Sequence, residues 1–190
     1  MKHFLHELPE HYSKITVIRF DDAPSGFIID LKAVFPGILL TAFGYLWVKP
    51  DMRQLLLSLL FSAAAIYPYL CLHEIVHGVV YRIIGIPGIK IGFTKNGAYC
   101  SVPDYFLYRH VAVTSTAAPF VIFTLLFSAA GFRMIYSGNW LFLLFGMLLM
   151  LHLFACRSDV HLLQEFRKFK IPDLLIQDRG TAQSIYLPNK

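Results

Sequence analysis

The sequence predicts an all-α integral membrane protein with about four transmembrane helices and a small β-hairpin between the second and the third. Three observations predict it. Of the 190 residues, 56% are apolar and 15% charged, a balance too greasy for an ordinary soluble domain. Several apolar runs approach or exceed the ~20 residues needed to cross a hydrocarbon core of ~30 Å. Between two of these runs stands Asn96-Gly97 with β-prone stretches on either side, the strongest short signal for a two-residue type I′ turn.

The first span runs from about Ala33 to Val48, where Trp47 suits an interfacial anchor. The second runs from about Leu55 to Ile84, roughly 45 Å at helical rise and longer than the bilayer core, so it must tilt, kink or project. Pro68 inside it removes a backbone donor and can supply the kink. The third runs from about Val111 to Phe132 with Pro119 inside it, and the fourth from about Trp140 to Cys156. The hairpin is expected from Ile89 to Lys95 and from Ala98 to Val102. Residues 1–32 are read as a cytoplasmic N-terminal segment, 33–161 as the transmembrane core, and 162–190 as a cytoplasmic tail with a short helix followed by extended chain. All 190 residues then form one membrane-embedded domain. Residues 1–30 carry Glu7, Glu10, Asp21 and Asp22 and no long apolar core, so they are expected to stay in the mature protein.

The net charge of +5 reports topology better than it reports a ligand. Of the 17 Lys and Arg residues, only Lys49, Arg53 and Arg133 fall on one side of a four-span arrangement. By the positive-inside tendency, both termini and the loop between spans two and three are expected to be cytoplasmic. The basic residues form no single patch, so a nucleic-acid partner is not expected. Cys71, Cys100 and Cys156 are odd in number and lack C-x-x-C spacing, which leaves neither a disulfide framework nor a four-cysteine metal site.

The chemistry lies in the second span, at His73-Glu74-Ile75-Val76-His77. On a helix the two histidines are about 40° apart around the axis and roughly 6 Å apart along it, so both imidazoles reach one metal ion. Glu74 projects beside them as a general base. By composition alone this pattern arises on the order of 0.007 times in such a chain. Ionisable side chains inside a membrane helix also need a partner, a metal or water.

A catalytic zinc takes three protein ligands and keeps one position open, so a third ligand must come from elsewhere. Spans two and four cross in the same direction, which brings the end of span four to the depth of His73 and His77. Asp159 stands there, a hard carboxylate suited to zinc beside two imidazoles. His152, about 10.5 Å deeper on nearly the same face, and His161, about 200° away, compete with it. His110, Thr116, Asn96 and Gly97 are candidate substrate or oxyanion contacts, with Arg109 and Ser115 nearby.

With these residues the chain resembles a family of bacterial membrane zincin peptidases, related in layout to site-two-protease-type intramembrane metallopeptidases. The resemblance rests on His73, Glu74, His77 and Gly78, on Gly97, Ala98 and Cys100, on Ala118-Pro119 and on Asp159, and covers about Leu55 to Val160. Site-two-type enzymes take their third ligand from an Asp-Gly pair, whereas Asp159 precedes Val160. The nearest counterpart of their Asn-x-x-Pro element is Thr116-Ala117-Ala118-Pro119, on a different helix. The resemblance implies a Zn2+-dependent peptidase in the bacterial plasma membrane that cleaves a peptide or a membrane protein with a metal-activated water. The hairpin edge is available to hold such a substrate extended. Two other readings stand beside it: a membrane metal carrier or sensor that uses His73, His77 and Asp159 as a transient site, and a haem protein gripping iron between His110 and His152.

Overall fold

The computed structural model describes residues 3–23, 27–94, 97–169, 171 and 173–189. Its elements in chain order are β1 (Phe4–Leu5), β2 (Tyr12–Arg19), α1 (Phe27–Val48), α2 (Met52–Ile84), β3 (Lys90–Thr94), β4 (Gly97–Ser101), β5 (Phe106–Tyr108), α3 (Arg109–Tyr136), α4 (Phe142–Ala155), α5 (Arg157–Lys168), β6 (Leu175–Asp178) and β7 (Ala182–Pro188). Among the described residues, three helices are long and apolar enough to cross a membrane, at Leu31–Val48, Met52–Ile84 and Arg109–Tyr136. A fourth span is reached if α4 and α5, bent by 43°, count as one.

The fold is mixed and not all-α, which corrects the sequence-based class. A five-stranded antiparallel sheet runs in the order β1-β5-β6-β7-β2. It joins strands from before α1, from between α2 and α3, and from after α5. The expected extended tail is thus the middle of a sheet, and the N-terminal segment supplies two of its strands. β6, at the centre of the sheet, is buried along its whole length.

The expected hairpin is present as β3 and β4, paired from Lys90↔Ser101 to Thr94↔Gly97. Its register makes Gly97 the first paired residue of β4, where the sequence reading placed it in the turn. Asn96, the other expected turn residue, lies outside the described residues.

Contacts divide the chain into two units. One comprises Met1–Ala23, Leu70–Pro119 and Ser158–Lys190 and holds both sheets. Its core gathers Tyr81, Ile86, Leu107, Val111, Phe166 and Ile185. The other comprises Pro24–Tyr69 and Phe120–Arg157 and is helical. There α1 meets α4 through small residues: a Cβ on Gly37 would lie 2.9 Å from the Met150 backbone nitrogen and 3.1 Å from the Gly146 carbonyl oxygen. Apolar association between lipid-embedded helices depends on such close backbone approach, because lipid is as apolar as leucine.

Candidate metal centre

His73 and His77 occupy successive turns of α2, with ring centroids 5.1 Å apart. Their four-residue spacing puts them on one face. Asp159 reaches the same place from the first turn of α5. The reason is legible in α5 itself, where Asp159, Leu162 and Phe166 are the buried residues and fall on one helical stripe. Leu162 and Phe166 enter the apolar core, and Asp159 is carried inward with them to 5% exposure.

A buried carboxylate requires compensation. Asp159 Oδ2 lies 3.1 Å from His73 Nε2 and 3.7 Å from His77 Nε2. The three donor atoms lie within 4.8 Å of one another. A tetrahedral ion with bonds of about 2.0–2.1 Å sets its donors about 3.3–3.4 Å apart, between the two observed separations.

The second nitrogen of His77 strengthens this fit. Nδ1 lies 2.9 Å from the Ser115 carbonyl oxygen, which can only accept, so Nδ1 carries the proton. Protonated at both nitrogens, His77 donates to Asp159 Oδ2; in its neutral form it instead turns a lone pair at Nε2 toward that carboxylate oxygen. Two acceptors facing each other are relieved by a cation between them. The carbonyl bond on the far nitrogen is the usual way a metal-binding histidine is oriented and its tautomer fixed.

Glu74 is half-buried beside this cluster, and its carboxylate accepts a hydrogen bond from the backbone N–H of Cys100 in β4. The hairpin packs over Gly78 in ordinary van der Waals contact. A Cβ there would meet Ile91 Cδ1 at 3.4 Å and Cys100 Sγ at 3.6 Å. Burial, with the charges of Asp178 and Glu74, pushes the Cys100 thiol up to about 12, so it stays a protonated packing group at neutral pH.

The other sequence candidates have bonds of their own. His152 is fully buried in the helical unit. Its Nε2 donates to the Phe120 carbonyl at 3.2 Å, which leaves Nδ1 to accept from the Tyr69 hydroxyl at 2.8 Å. Those are the bonds of a structural core histidine. His161 faces Glu165 at 4.0 Å. His110 is exposed and pairs with His3 at 3.2 Å, outside the donor cluster. Thr116 is buried in α3 beside Ser115, and Asn96 lies outside the described residues.

Two contributions escaped the sequence reading. Ser115 supplies its backbone carbonyl, where only its hydroxyl was considered. Tyr81, one turn beyond His77 and on the same face, donates its hydroxyl to Asp178 Oδ2 at 2.7 Å, while the Gly180 N–H donates to Oδ1 at 3.0 Å. The four-residue step from His77 to Tyr81 was a readable signal, but Asp178 carried none. Burial raises the Asp178 carboxyl above its ordinary value of 3.8, against the hydrogen bonds from Gly180 and Tyr81.

The family model described as "Putative zincin peptidase" matches residues 66–171, more than half of the chain. That stretch holds His73, Glu74, His77, β3, β4 and Asp159. The chain belongs to this zincin peptidase family. No curated protein and no solved structure matches it. Membership supports a zinc metallopeptidase, and the cluster offers donors of the type zinc takes.

Proposed function

We propose that the protein is a zinc-dependent peptidase acting within or at the cytoplasmic face of a membrane, with His73, His77 and Asp159 as metal ligands and Glu74 as general base. The observation that carries the reading is the convergence of His73 Nε2, His77 Nε2 and Asp159 Oδ2 from two elements more than eighty residues apart in sequence, with Glu74 beside them. His73, His77 and Asp159 would hold the zinc, which would supply Lewis-acid polarisation of a substrate carbonyl and lower the pKa of a water at the site. Glu74 takes the proton of the attacking water and returns it to the leaving amine. The Cys100 N–H holds the Glu74 carboxylate in place for both transfers. A carrier or sensor of metal has no use for a carboxylate held this way.

The substrate must present an extended backbone. Among the described residues β3 and β4 pair only with each other, so the hairpin keeps open edges, and its β4 strand touches the general base. Strand addition there fixes a peptide beside Glu74.

The placement of the site is supported by the five-stranded sheet. Strands before α1, between α2 and α3 and after α5 can share one sheet only on one side of a bilayer. Each intervening helical stretch must then cross an even number of times, which agrees with four spans and with the bias in Lys and Arg.

The test is made on the full chain purified in detergent, with zinc per protein and hydrolysis of a membrane-inserted peptide measured side by side. Glu74→Gln is expected to keep near-stoichiometric zinc and lose about 10²–10⁴ in turnover. Full activity in that variant would overturn the mechanism. Ile91→Pro, which interrupts β3, is expected to lose hydrolysis and keep zinc. Normal cleavage by it removes strand addition from the proposal.

A further inference from the structure

The His77 hydrogen bond goes to a carbonyl that would ordinarily be engaged. In an α-helix the carbonyl of residue 115 accepts from the N–H of residue 119. Residue 119 is proline, inside α3, and has no N–H to give. Ser115 is fully buried, so water does not replace the missing donor freely, and an unmet buried carbonyl carries a cost. His77 Nδ1–H meets it at 2.9 Å.

We propose that Pro119 is a positioning residue for the metal: by withholding one backbone N–H it reserves the Ser115 carbonyl for His77. That bond holds the imidazole in the Nδ1–H tautomer and aims the Nε2 lone pair at His73 and Asp159. The inference rests on the zinc reading above and adds to it a residue that touches neither metal nor substrate. Restoring an N–H at 119 gives the carbonyl its helical donor back. His77 then loses an exclusive partner, and its competing tautomer, with the proton on Nε2, cannot bind metal through that nitrogen.

The experiment uses metal-free, full-length protein in detergent and reads zinc affinity by competition with a chromophoric chelator. Pro119→Ala is expected to weaken zinc binding about 10- to 100-fold, the usual effect of losing an outer partner of a metal-bound histidine. A second variant carries lactic acid, the hydroxy-acid counterpart of alanine, at position 119 by nonsense suppression. It has neither the proline ring nor an N–H, and its zinc affinity is expected within about threefold of the parent if the missing donor is what matters. Pro36→Ala, which restores an N–H in α1, is the control and should change nothing. An unchanged affinity in Pro119→Ala overturns the proposal. So does an equal loss in the alanine and lactic acid variants, which would assign the effect to the ring. If the alanine variant does not accumulate, the lactic acid variant decides alone: parental affinity supports the proposal and a loss sinks it. A parent protein that binds no zinc refutes the metal reading itself, a result distinct from all of these.

Discussion

Asp159→Ala is the substitution that most directly probes the proposed metal centre. Asp159 is the one anionic donor of the three, is buried, and has its Oδ2 at 3.1 and 3.7 Å from the two imidazole nitrogens. Four-ligand zinc sites bind with about 10–16 kcal/mol, so one ligand is worth roughly 3–4 kcal/mol. At about 1.4 kcal/mol per factor of ten, the alanine variant should bind zinc some two to three orders of magnitude more weakly. Asp159→Asn keeps the shape and an acceptor for His73 but loses the charge, and should fall between the two. His152→Ala, by contrast, removes a side chain bonded to Tyr69 and Phe120 and should leave zinc affinity near the parent value. Competition with a chelator of known affinity, run on all four proteins with circular dichroism to check folding, gives the numbers. If Asp159→Ala binds zinc within a few-fold of the parent while His152→Ala loses it, the third ligand has been assigned to the wrong residue.

Other outcomes follow from the packing and the charges. Gly37→Ala puts a methyl group 2.9 Å from the Met150 backbone nitrogen, which cannot rotate away. Separation of α1 and α4 should cost about 1–3 kcal/mol, seen as a lower unfolding temperature in detergent, and an unchanged temperature refutes the close approach. Asp178 has a raised carboxyl pKa, so the folded state holds its proton more tightly than the unfolded chain does. Its stabilising share is therefore present at acid pH and is lost as pH rises through the raised value. Asp178→Asn should abolish that loss, so the gap between variant and parent shifts in the variant's favour from about pH 4 toward neutrality; denaturation across a pH series showing the opposite slope contradicts the assignment. Reporter fusions at residue 95 should behave as cytoplasmic and fusions at Asp51 as external, and a translocated reporter at 95 would overturn the four-span topology.

Much of this protein is local and therefore legible in the sequence. Long apolar runs have one stable state in a bilayer, because every backbone group must be paired within the segment, and they are the helices α1 to α3. The i, i+4 step fixes His73 and His77 on one face whatever surrounds them. Asn96-Gly97 between β-prone runs located the hairpin, though the register closes one residue earlier than the turn signal implies. What the chain could not disclose is pairing at long range. Tyr12 pairs with Pro188 and Leu107 with Ile176, and no local pattern states a partner that distant. The β-branched run Ile15 to Ile18 was a strand signal, yet Ile15 and Val17 face outward and nothing nearby in sequence marks the partner that β7 provides. Span direction and depth already point to Asp159 as the partner of the histidines, but what carries its side chain inward is the burial of Leu162 and Phe166 in a core built from distant strands. The Ser115 carbonyl and the Cys100 N–H are backbone groups, which every residue carries, so their identity as partners of His77 and Glu74 is decided by tertiary position alone. Side-chain chemistry and helical period are written residue by residue, whereas the meeting of backbone groups from different elements depends on how the whole chain closes on itself.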